Sequence, residues 1–476
     1  MFTKPFSLFC ATLLTMFSII AHAGPAERYM QQKLANSPPL IAATEIHQAY
    51  FKQLLDHNHP ESGHFSQRYY IDERFAPQDD APVFFYICGE AACSKRALNG
   101  AIRDYAKKFH AKLVALEHRY YGESIPVNRL STPNLRFLTT EAALDDLAYF
   151  QRSLSLQKKW SGRWISFGGS YPGSLSAYYR LKFPYLVAGA LASSAPVMAK
   201  EDFIEYDAHV TQVAGTLCAA QMREVVRTVE ASLNDAEKLA DMKVLFGATA
   251  VDDSVDFLYL IADVGAAAVQ YGQRDAFCAA LASSPTPLAG YAAMTQAFYQ
   301  ESGLSAVDLT PQGAMDERVN STNSNLSMRQ WYYQSCSEYG YWQNAHPDPS
   351  QSTRSARINL AYHHQVCARL FGLDQPAQTA ELNNSFYYPL MEVLVSNIYF
   401  TNGEQDPWST LSLAEKNGNA INPQLNYALI DGAAHCDDLH TPLPNDSQAL
   451  KQARTTMEHL LATWLTEPEG GLRRKD

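Results

Sequence analysis

Three side chains of this 476-residue sequence could together carry out nucleophilic catalysis: Ser170, Asp406 and His435. A serine hydroxyl becomes a nucleophile when a histidine accepts its proton and a carboxylate orients that histidine. The chemistry of such a set is acyl transfer through an acylated serine. Taken singly, a Gly-Gly-Ser turn or a loop histidine is more often structural. Glu404 is an alternative acid, but we favour Asp406 because Pro407 stiffens its loop.

The residues around Ser170 are typical of a sharp turn that presents a nucleophile. Gly168 and Gly169 are the small neighbours that a strained turn requires. Pro172 departs from the G-x-S-x-G pattern, but it falls in the first helical turn, where a missing N–H costs little. Tyr171 keeps its N–H and is the expected oxyanion donor.

The elements that must position these residues are the strands of a parallel sheet. Short apolar runs, rich in β-branched and aromatic residues, predict buried strands. They cover residues 82–87, 112–116, 164–167, 186–191, 393–400 and 425–430. An N-cap at Thr140 and apolar residues at helical spacing predict an amphipathic helix between two of the strands. Serine, acid and histidine each follow a strand, in the chain order of the α/β-hydrolases.

Two other segments that follow strands belong to the predicted site. The loop 88–91 should supply a second oxyanion donor, for which Glu90 is the candidate. Residues 117–123 are dense in polar side chains, and we interpret them as a hydrogen-bonded scaffold beneath the site. The alternative is that they form part of the substrate-binding surface.

The alternation of strands and helices lapses between about residues 200 and 390, where apolar residues recur at helical spacing. We interpret the chain as one α/β domain, residues 45–200 and 391–470, interrupted by a helical insertion at 201–390. Two independent domains in tandem are the alternative.

The N-terminus has the features of an export signal. Lys4 precedes an apolar run over residues 6–20, and Ala21-His22-Ala23 offers the small residues of a cleavage site. We predict a signal peptide over residues 1–23, with an uncleaved N-terminal anchor as the alternative. The expected location is secreted or periplasmic, with no membrane association after removal of the signal.

Export changes the interpretation of the cysteines, because thiols pair in an oxidising compartment. Cys10 leaves with the signal peptide, and Cys436 remains unpaired if the other six form disulfides. The candidate pairs, the last of them weaker, are Cys88–Cys93, Cys336–Cys367 and Cys218–Cys278.

Composition excludes several classes of protein. Hydrophobic residues make up 46% of the chain and charged residues 18%, which is ordinary for a folded protein and not for a disordered or collagen-like one. The net charge of −11 lacks the basic footprint of a nucleic-acid binder. The remaining clustered histidines have no ligand spacing, so we predict neither a metal nor a cofactor. They are His57, His59, His64, His363 and His364.

Several motifs together resemble the serine peptidase family of lysosomal Pro-Xaa carboxypeptidase, dipeptidyl peptidase II and thymus-specific serine protease. The matching segments span nearly the whole mature chain. They are 56–57, 67–70, 117–124, 168–171, 270–272, 329–331, 334–338, 402–403, 406–408 and 432–439. The resemblance implies an α/β-hydrolase fold with a helical cap inserted before the strand that bears Asp406. It also implies Ser170, Asp406 and His435 as a catalytic triad, and Trp408 as part of a proline pocket.

From these observations we expect an exported serine peptidase that acts on short peptides. The resemblance implies an exopeptidase that cleaves after proline. Two residues depart from the family pattern: Ser174 replaces a Met beside the pocket, and Ala91 replaces a Gly of the oxyanion loop. Glu338 is a candidate for binding the free end of a peptide, and a homodimer is possible. The alternatives are an esterase or lipase with the same triad and a catalytically silent exported binding protein.

Overall fold

The computed structural model describes residues 46–319 and 327–466. The predicted signal peptide, residues 1–23, lies outside the described residues. Within them, no helix combines the length and the apolar character needed to cross a membrane.

The centre of the protein is an eight-stranded sheet in the order β1-β2-β4-β3-β5-β6-β9-β10. Its strands are β1 His47–Leu54, β2 His64–Asp72, β3 Val83–Ile87, β4 Lys112–Leu116, β5 Trp164–Gly169, β6 Gly189–Ser193, β9 Ile398–Gly403 and β10 Asn426–Ile430. The six strands from β4 to β10 in this order are parallel. At one edge, β2 pairs antiparallel with β4 and β1 pairs antiparallel with β2.

Both faces of the central strands are covered, which explains their continuous apolar sequences. Along β3, Phe85 faces one hydrophobic cluster that includes Phe150, whereas Phe84 faces a second that includes Ile102 and Leu461. The helices that supply these clusters are α1 Ala101–Phe109, α2 Thr140–Lys158, α3 Tyr171–Lys182 and α13 Gln448–Thr466. Successive side chains of a strand point to opposite faces, so one strand contributes to both clusters.

The chain between β6 and β9 is mainly helical. Its helices are α4 Ile204–Ser232, α5 Ala236–Leu245, α6 Ser254–Gln270, α7 Arg274–Ser283, α8 Pro287–Ser302, α9 Met328–Gln334, α10 Leu360–Phe371, α11 Thr379–Leu382 and α12 Tyr388–Leu390. A small parallel pair, β7 Lys200–Asp202 and β8 Gly340–Trp342, ties the start of this region to its middle. Beyond it, β9 pairs directly with β6, with Ala190 opposite Ile398, so one sheet is built from both sides of the helical region.

The apolar run at 393–400 overestimates the length of its strand. The strand begins at Ile398, and Val393 and Leu394 are exposed side chains in the turns that precede it. These turns follow α12, where the N–H of Val395 donates to the carbonyl of Glu392. An exposed turn can carry a few apolar residues without penalty. A prediction that takes every apolar run as buried cannot recognise such a turn.

Three disulfides cross-link the described part of the chain. They join Cys88 to Cys93, Cys218 to Cys278 and Cys336 to Cys367, while Cys436 is a buried free thiol. The first closes the loop after β3, and the second joins α4 to α7 within the helical region. The strand order, the crossovers and the helical insertion are those of the α/β-hydrolase fold.

Candidate active site

Ser170 lies at the sharp turn between β5 and α3. Its backbone dihedrals, φ 60° and ψ −130°, are unusual for a residue other than glycine and mark local strain. The turn requires glycine on both sides of it. A Cβ on Gly168 would meet the carbonyl oxygen of Pro172 at 2.0 Å, and one on Gly173 would meet that of Ser193 at 2.7 Å. The sequence therefore permits a geometry that holds the serine at the end of β5 and the start of a helix.

His435 and Asp406 are joined by a hydrogen bond between Nδ1 and Oδ2 of 2.7 Å. Both side chains are completely buried. The other carboxylate oxygen of Asp406 accepts the backbone N–H of Trp408 at 3.0 Å, because Asp406 caps the short helical turn that follows β9. The carboxylate is thus fixed from both sides and orients the imidazole.

Charge as well as geometry couples the two residues. Burial on its own would lower the pKa of His435, but the adjacent Asp406 carboxylate and Cys436 together raise the pKa well above the usual value. An imidazole with a raised pKa next to a carboxylate is suited to accept a proton during a reaction.

Glu404, the alternative acid, lies elsewhere. Its side chain is exposed, and its carboxylate accepts the backbone N–H of Gly432 at 3.1 Å. A separate hydrogen bond joins its carbonyl to the ring of His209. The acid in contact with His435 is therefore Asp406.

Backbone contacts bring Ser170 and the histidine loop to the same edge of the sheet. The N–H of Ser170 donates to the carbonyl of Ser193 at 2.8 Å, and the thiol of Cys436 contacts the same carbonyl at 3.8 Å. The N–H of Cys436 donates to the hydroxyl of Ser194 at 2.9 Å. His435 Nε2 is buried and has no hydrogen-bond partner within the described part of the chain, so this nitrogen is not committed to a structural contact.

The side chain of Tyr171 is held by two hydrogen bonds. Its hydroxyl lies 2.9 Å from His118 Nε2 and accepts a hydrogen bond from the Gln334 amide, also at 2.9 Å. His118 Nδ1 faces the carbonyl of Arg119 at 2.7 Å and must carry the hydrogen, so Nε2 accepts from Tyr171. Burial lowers the pKa of His118 to about 4, which keeps the ring neutral. The backbone N–H of Tyr171 is the first of α3 and has no partner within that helix.

The segment 117–123 forms a hydrogen-bonded scaffold beneath the loop that carries Glu90. The buried Glu117 carboxylate accepts the N–H of Cys93 at 2.8 Å and the hydroxyl of Ser124 at 2.7 Å. Arg68 donates to the same carboxylate at 2.5 Å and to the carbonyl of Cys93 at 2.9 Å. Glu90 is buried in the loop that these hydrogen bonds hold in place. Burial raises the pKa of Tyr171 well above its usual value, and the charges of Glu338 and Glu90 add to this effect.

Trp408 is buried in a cluster that we call the aromatic wall: Phe203, Tyr206, Tyr341 and Trp408. The ring centres of the other three lie 5.2–5.6 Å from the indole. Two further rings, Tyr339 and Trp331, each contact both Tyr341 and the side chain of Tyr171. The aromatic contacts therefore extend from the wall to the residue next to the nucleophile candidate. Except for Trp408, the aromatic wall was not predicted, because its members in the helical region have the spacing of ordinary core residues.

Glu338 lies in the helical turn 335–339 that follows α9, and its side chain reaches the N-terminus of α2. Its carboxylate accepts the backbone N–H of Thr140 at 3.0 Å and the hydroxyl of the same residue at 2.9 Å. Burial raises the pKa of Glu338 to about 7, although the Thr140 hydrogen bonds oppose this effect. Its contacts in this structure are those of a helix cap.

The raised pKa makes Glu338 a source of pH-dependent stability. Between its ordinary pKa of 4.5 and about 7, the folded protein keeps a proton that the unfolded chain has released. The stability contributed by this group is therefore complete below pH 4.5 and is lost as pH rises towards 7. In the wild type, this group should lower the free energy of unfolding at pH 8 relative to pH 4.5 by on the order of 1–3 kcal/mol, and Glu338→Gln should remove that decrease. Denaturant unfolding of both proteins at the two pH values measures this. The same change with pH in the wild type and in the variant would contradict it.

Within the described residues, no group of three or more His, Cys, Asp or Glu side chains is arranged to hold a metal ion. The site is composed of the chain's own hydroxyl, imidazole, carboxylate and backbone N–H groups. This donor set can carry out acyl transfer at a carbonyl carbon.

Comparison with known proteins adds a family context. A model of the family described as Serine carboxypeptidase S28 matches residues 53–457. Probable serine protease EDA2 of Arabidopsis thaliana is 36% identical over 409 residues, which cover 83% of this chain and 82% of that protein. Thymus-specific serine protease of Mus musculus is 30% identical over 453 residues, 88% of each chain. Lysosomal Pro-X carboxypeptidase of Bos taurus is 27% identical over 455 residues, again 88% of each.

Proposed function

Because this chain belongs to the serine carboxypeptidase S28 family, we propose that it is an exported exopeptidase that hydrolyses short peptides after proline. Membership of the family makes the chain a serine-type peptidase, as the resemblance of its motifs implied. The proposal adds the catalytic residues, the substrate preference and the location.

The observation that carries the proposal is the buried hydrogen bond between His435 and Asp406 at the sheet edge that also holds Ser170. Strain at Ser170 supports a catalytic role, because such backbone geometry is commonly kept at functional sites. An uncommitted Nε2 on His435 supports the same conclusion. In this proposal Ser170 is the nucleophile, His435 the general base and Asp406 the orienting acid.

The mechanism follows from these roles. Ser170 Oγ attacks the carbonyl carbon of the peptide bond while His435 Nε2 takes its proton, and the imidazolium is stabilised by Asp406. The oxyanion that forms is held by the N–H of Tyr171 and by an N–H of the loop that carries Glu90. His435 then gives the proton to the leaving amine. Water attacks the acyl-enzyme with His435 again as the base, which restores the Ser170 hydroxyl.

A preference for proline is supported by the aromatic wall. A proline ring has no N–H to satisfy once it is part of a peptide bond, and its flat apolar surface suits aromatic faces. The bovine relative is named a Pro-X carboxypeptidase, which agrees with this preference. Action on short peptides and chain ends is supported by the helical region, which packs against the site: its Tyr341 contacts Trp408 and its Gln334 contacts the side chain of Tyr171. We expect a region in this position to restrict the access of folded substrates.

An exported location is supported by the three disulfides, since such bonds persist in oxidising compartments. The apolar N-terminal run and its small-residue cleavage site support the same location. We therefore propose a secreted or periplasmic protein.

The test is a panel of matched peptides and esters. Peptides with proline or alanine before the cleaved bond, each with both ends free or with one end blocked, are compared with simple acyl esters. We expect kcat/KM to favour proline over alanine by about 10- to 100-fold, the discrimination that an apolar pocket can provide. Mass spectrometry of the products identifies the end from which cleavage starts.

Two outcomes would contradict the proposal. Rapid turnover of esters without turnover of any peptide would identify an esterase. Failure of a fluorophosphonate probe to label the purified protein would identify a catalytically silent binding protein.

Glu338→Gln, measured on the same panel, tests the expected role of Glu338 in binding the free end of a peptide. A raised KM confined to peptides with one particular end free would support this role.

A further inference from the structure

Gln270 lies where the helical region meets both the histidine loop and the aromatic wall. It is the last residue of α6 and is almost completely buried. Its backbone carbonyl accepts the N–H of His435 at 3.0 Å. Its side-chain oxygen accepts two further hydrogen bonds, from the indole N–H of Trp408 at 3.0 Å and from the hydroxyl of Tyr206 at 2.7 Å.

The residues that follow Gln270 also touch the histidine loop. The ring of Tyr271 meets the ring of His435 edge-on, with centres 5.9 Å apart. A Cβ on Gly272 would lie 3.3 Å from the Cβ of Ala434, so a glycine permits this close approach. The segment 270–272 therefore forms the joint between the helical region and the catalytic loop.

The two halves of the Gln270 amide are used differently. Its oxygen receives both aromatic donors, whereas its nitrogen finds no hydrogen-bond acceptor among the residues that the structure describes. Buried tryptophan and tyrosine need a partner for their polar atom, and here one oxygen serves both. The remaining neighbours of the indole in the aromatic wall, Phe203 and Tyr341, are rings that fill space without selecting one orientation.

We propose that Gln270 is a positioning residue that sets substrate specificity by fixing the orientation of the Trp408 indole. The inference rests on the proposed function, in which Trp408 contacts the proline of the substrate. The side chain of Gln270 acts on the aromatic wall, whereas its contact with His435 is made by the backbone and survives substitution. Changing the side chain should therefore alter discrimination between substrates and leave proton transfer at Ser170 intact.

The experiment is a double-mutant cycle with Gln270→Met and Trp408→Phe. Methionine keeps the length of the side chain but lacks the amide oxygen, and phenylalanine keeps an aromatic ring but lacks the N–H. Each single variant should lower the ratio of kcat/KM for proline over alanine peptides by about 5- to 30-fold, mainly through KM, as expected for loss of one buried hydrogen bond. The ratio in the double variant should be no smaller than the smaller of the two ratios in the single variants, because both substitutions remove the same hydrogen bond.

The rate of fluorophosphonate labelling should stay within about threefold of the wild type in Gln270→Met, since substitutions outside the reacting groups leave their chemistry intact.

Two results would overturn the inference. If labelling falls as much as the ratio, Gln270 supports the triad or the fold rather than specificity. If the two effects multiply in the double variant, Gln270 does not act through Trp408. Should Gln270→Met fail to fold, Gln270→Leu takes its place in the same cycle, because leucine also lacks the oxygen that accepts from Trp408 and Tyr206.

The wild-type protein separates this inference from the proposed function. A proline-to-alanine ratio near one contradicts the proline preference, and the coupling between Gln270 and Trp408 is then read from KM for the peptide that is cleaved fastest. A wild-type protein that is labelled by the probe but cleaves no peptide contradicts the proposed peptidase specificity itself. In that case the same cycle is read from the binding of a proline-containing peptide.

Discussion

Replacing Ser170 with alanine should lower kcat by at least about 10⁴-fold and abolish fluorophosphonate labelling, while the protein stays folded. The variant keeps the Cβ atom and loses only the hydroxyl, so the strained turn between β5 and α3 has no new atom to accommodate. Any residual rate would come from substrate binding and from the oxyanion donors, which the substitution leaves in place. Steady-state turnover of the best peptide, with unfolding measured in parallel, provides the test.

Ser176→Ala is the matched control for this experiment. Ser176 is a buried serine on α3, the helix that begins directly after Ser170, and its hydroxyl lies 2.8 Å from that of Ser166 on β5. Its loss should cost about 1 kcal/mol of stability through the missing hydrogen bond and leave kcat within a few-fold of the wild type. Undiminished turnover in Ser170→Ala, or an equal loss in both variants, would end the assignment of the nucleophile.

Replacing Asp406 with asparagine should lower kcat by about 10⁴-fold, again without unfolding the protein. An asparagine oxygen can still accept the N–H of Trp408, so the cap of the helical turn after β9 is preserved. The amide would no longer stabilise the imidazolium of His435 and would favour the wrong tautomer of the ring. The measurement is kcat for the same peptide across pH.

Glu404→Gln is the paired control, because Glu404 was the alternative acid in the sequence. Its side chain is exposed and makes its hydrogen bond to Gly432, and its removal should change kcat by no more than about threefold, as for most surface substitutions. If Glu404→Gln were as damaging as Asp406→Asn, the identification of the orienting carboxylate would be wrong.

The central strands and the nucleophile turn could be predicted because local sequence determines them. A strand buried on both faces needs an unbroken apolar run, and the turn at Ser170 needs glycines that no other residue can replace without a clash. The fold and the family that these patterns indicated are confirmed. The two antiparallel edge strands, by contrast, gave no signal: β1 is buried on one side only and mixes polar with aromatic residues.

The surroundings of the triad candidates could not be predicted for a different reason. Trp408 meets Phe203, Tyr206 and Tyr341, which lie far from it in sequence, and nothing in the spacing of those aromatics separates them from the core of a helical bundle. Glu338 was expected to face the substrate, and its observed hydrogen bonds to Thr140 join α2 to a segment almost two hundred positions away. Contacts of this kind depend on how the helical region lies across the sheet, which short-range patterns do not encode.

The pairing of β6 with β9 across the helical region has a consequence for biosynthesis. Closing a loop of about 200 residues is an entropic cost that must be met before this pairing forms, which makes it a late event in folding. Asp406 and His435 both lie beyond that point in the chain, so a ribosome-bound or truncated product that ends before β9 contains the candidate nucleophile and lacks its proposed partners. With the proposed triad, we expect proteolytic activity only in a chain whose synthesis has passed His435.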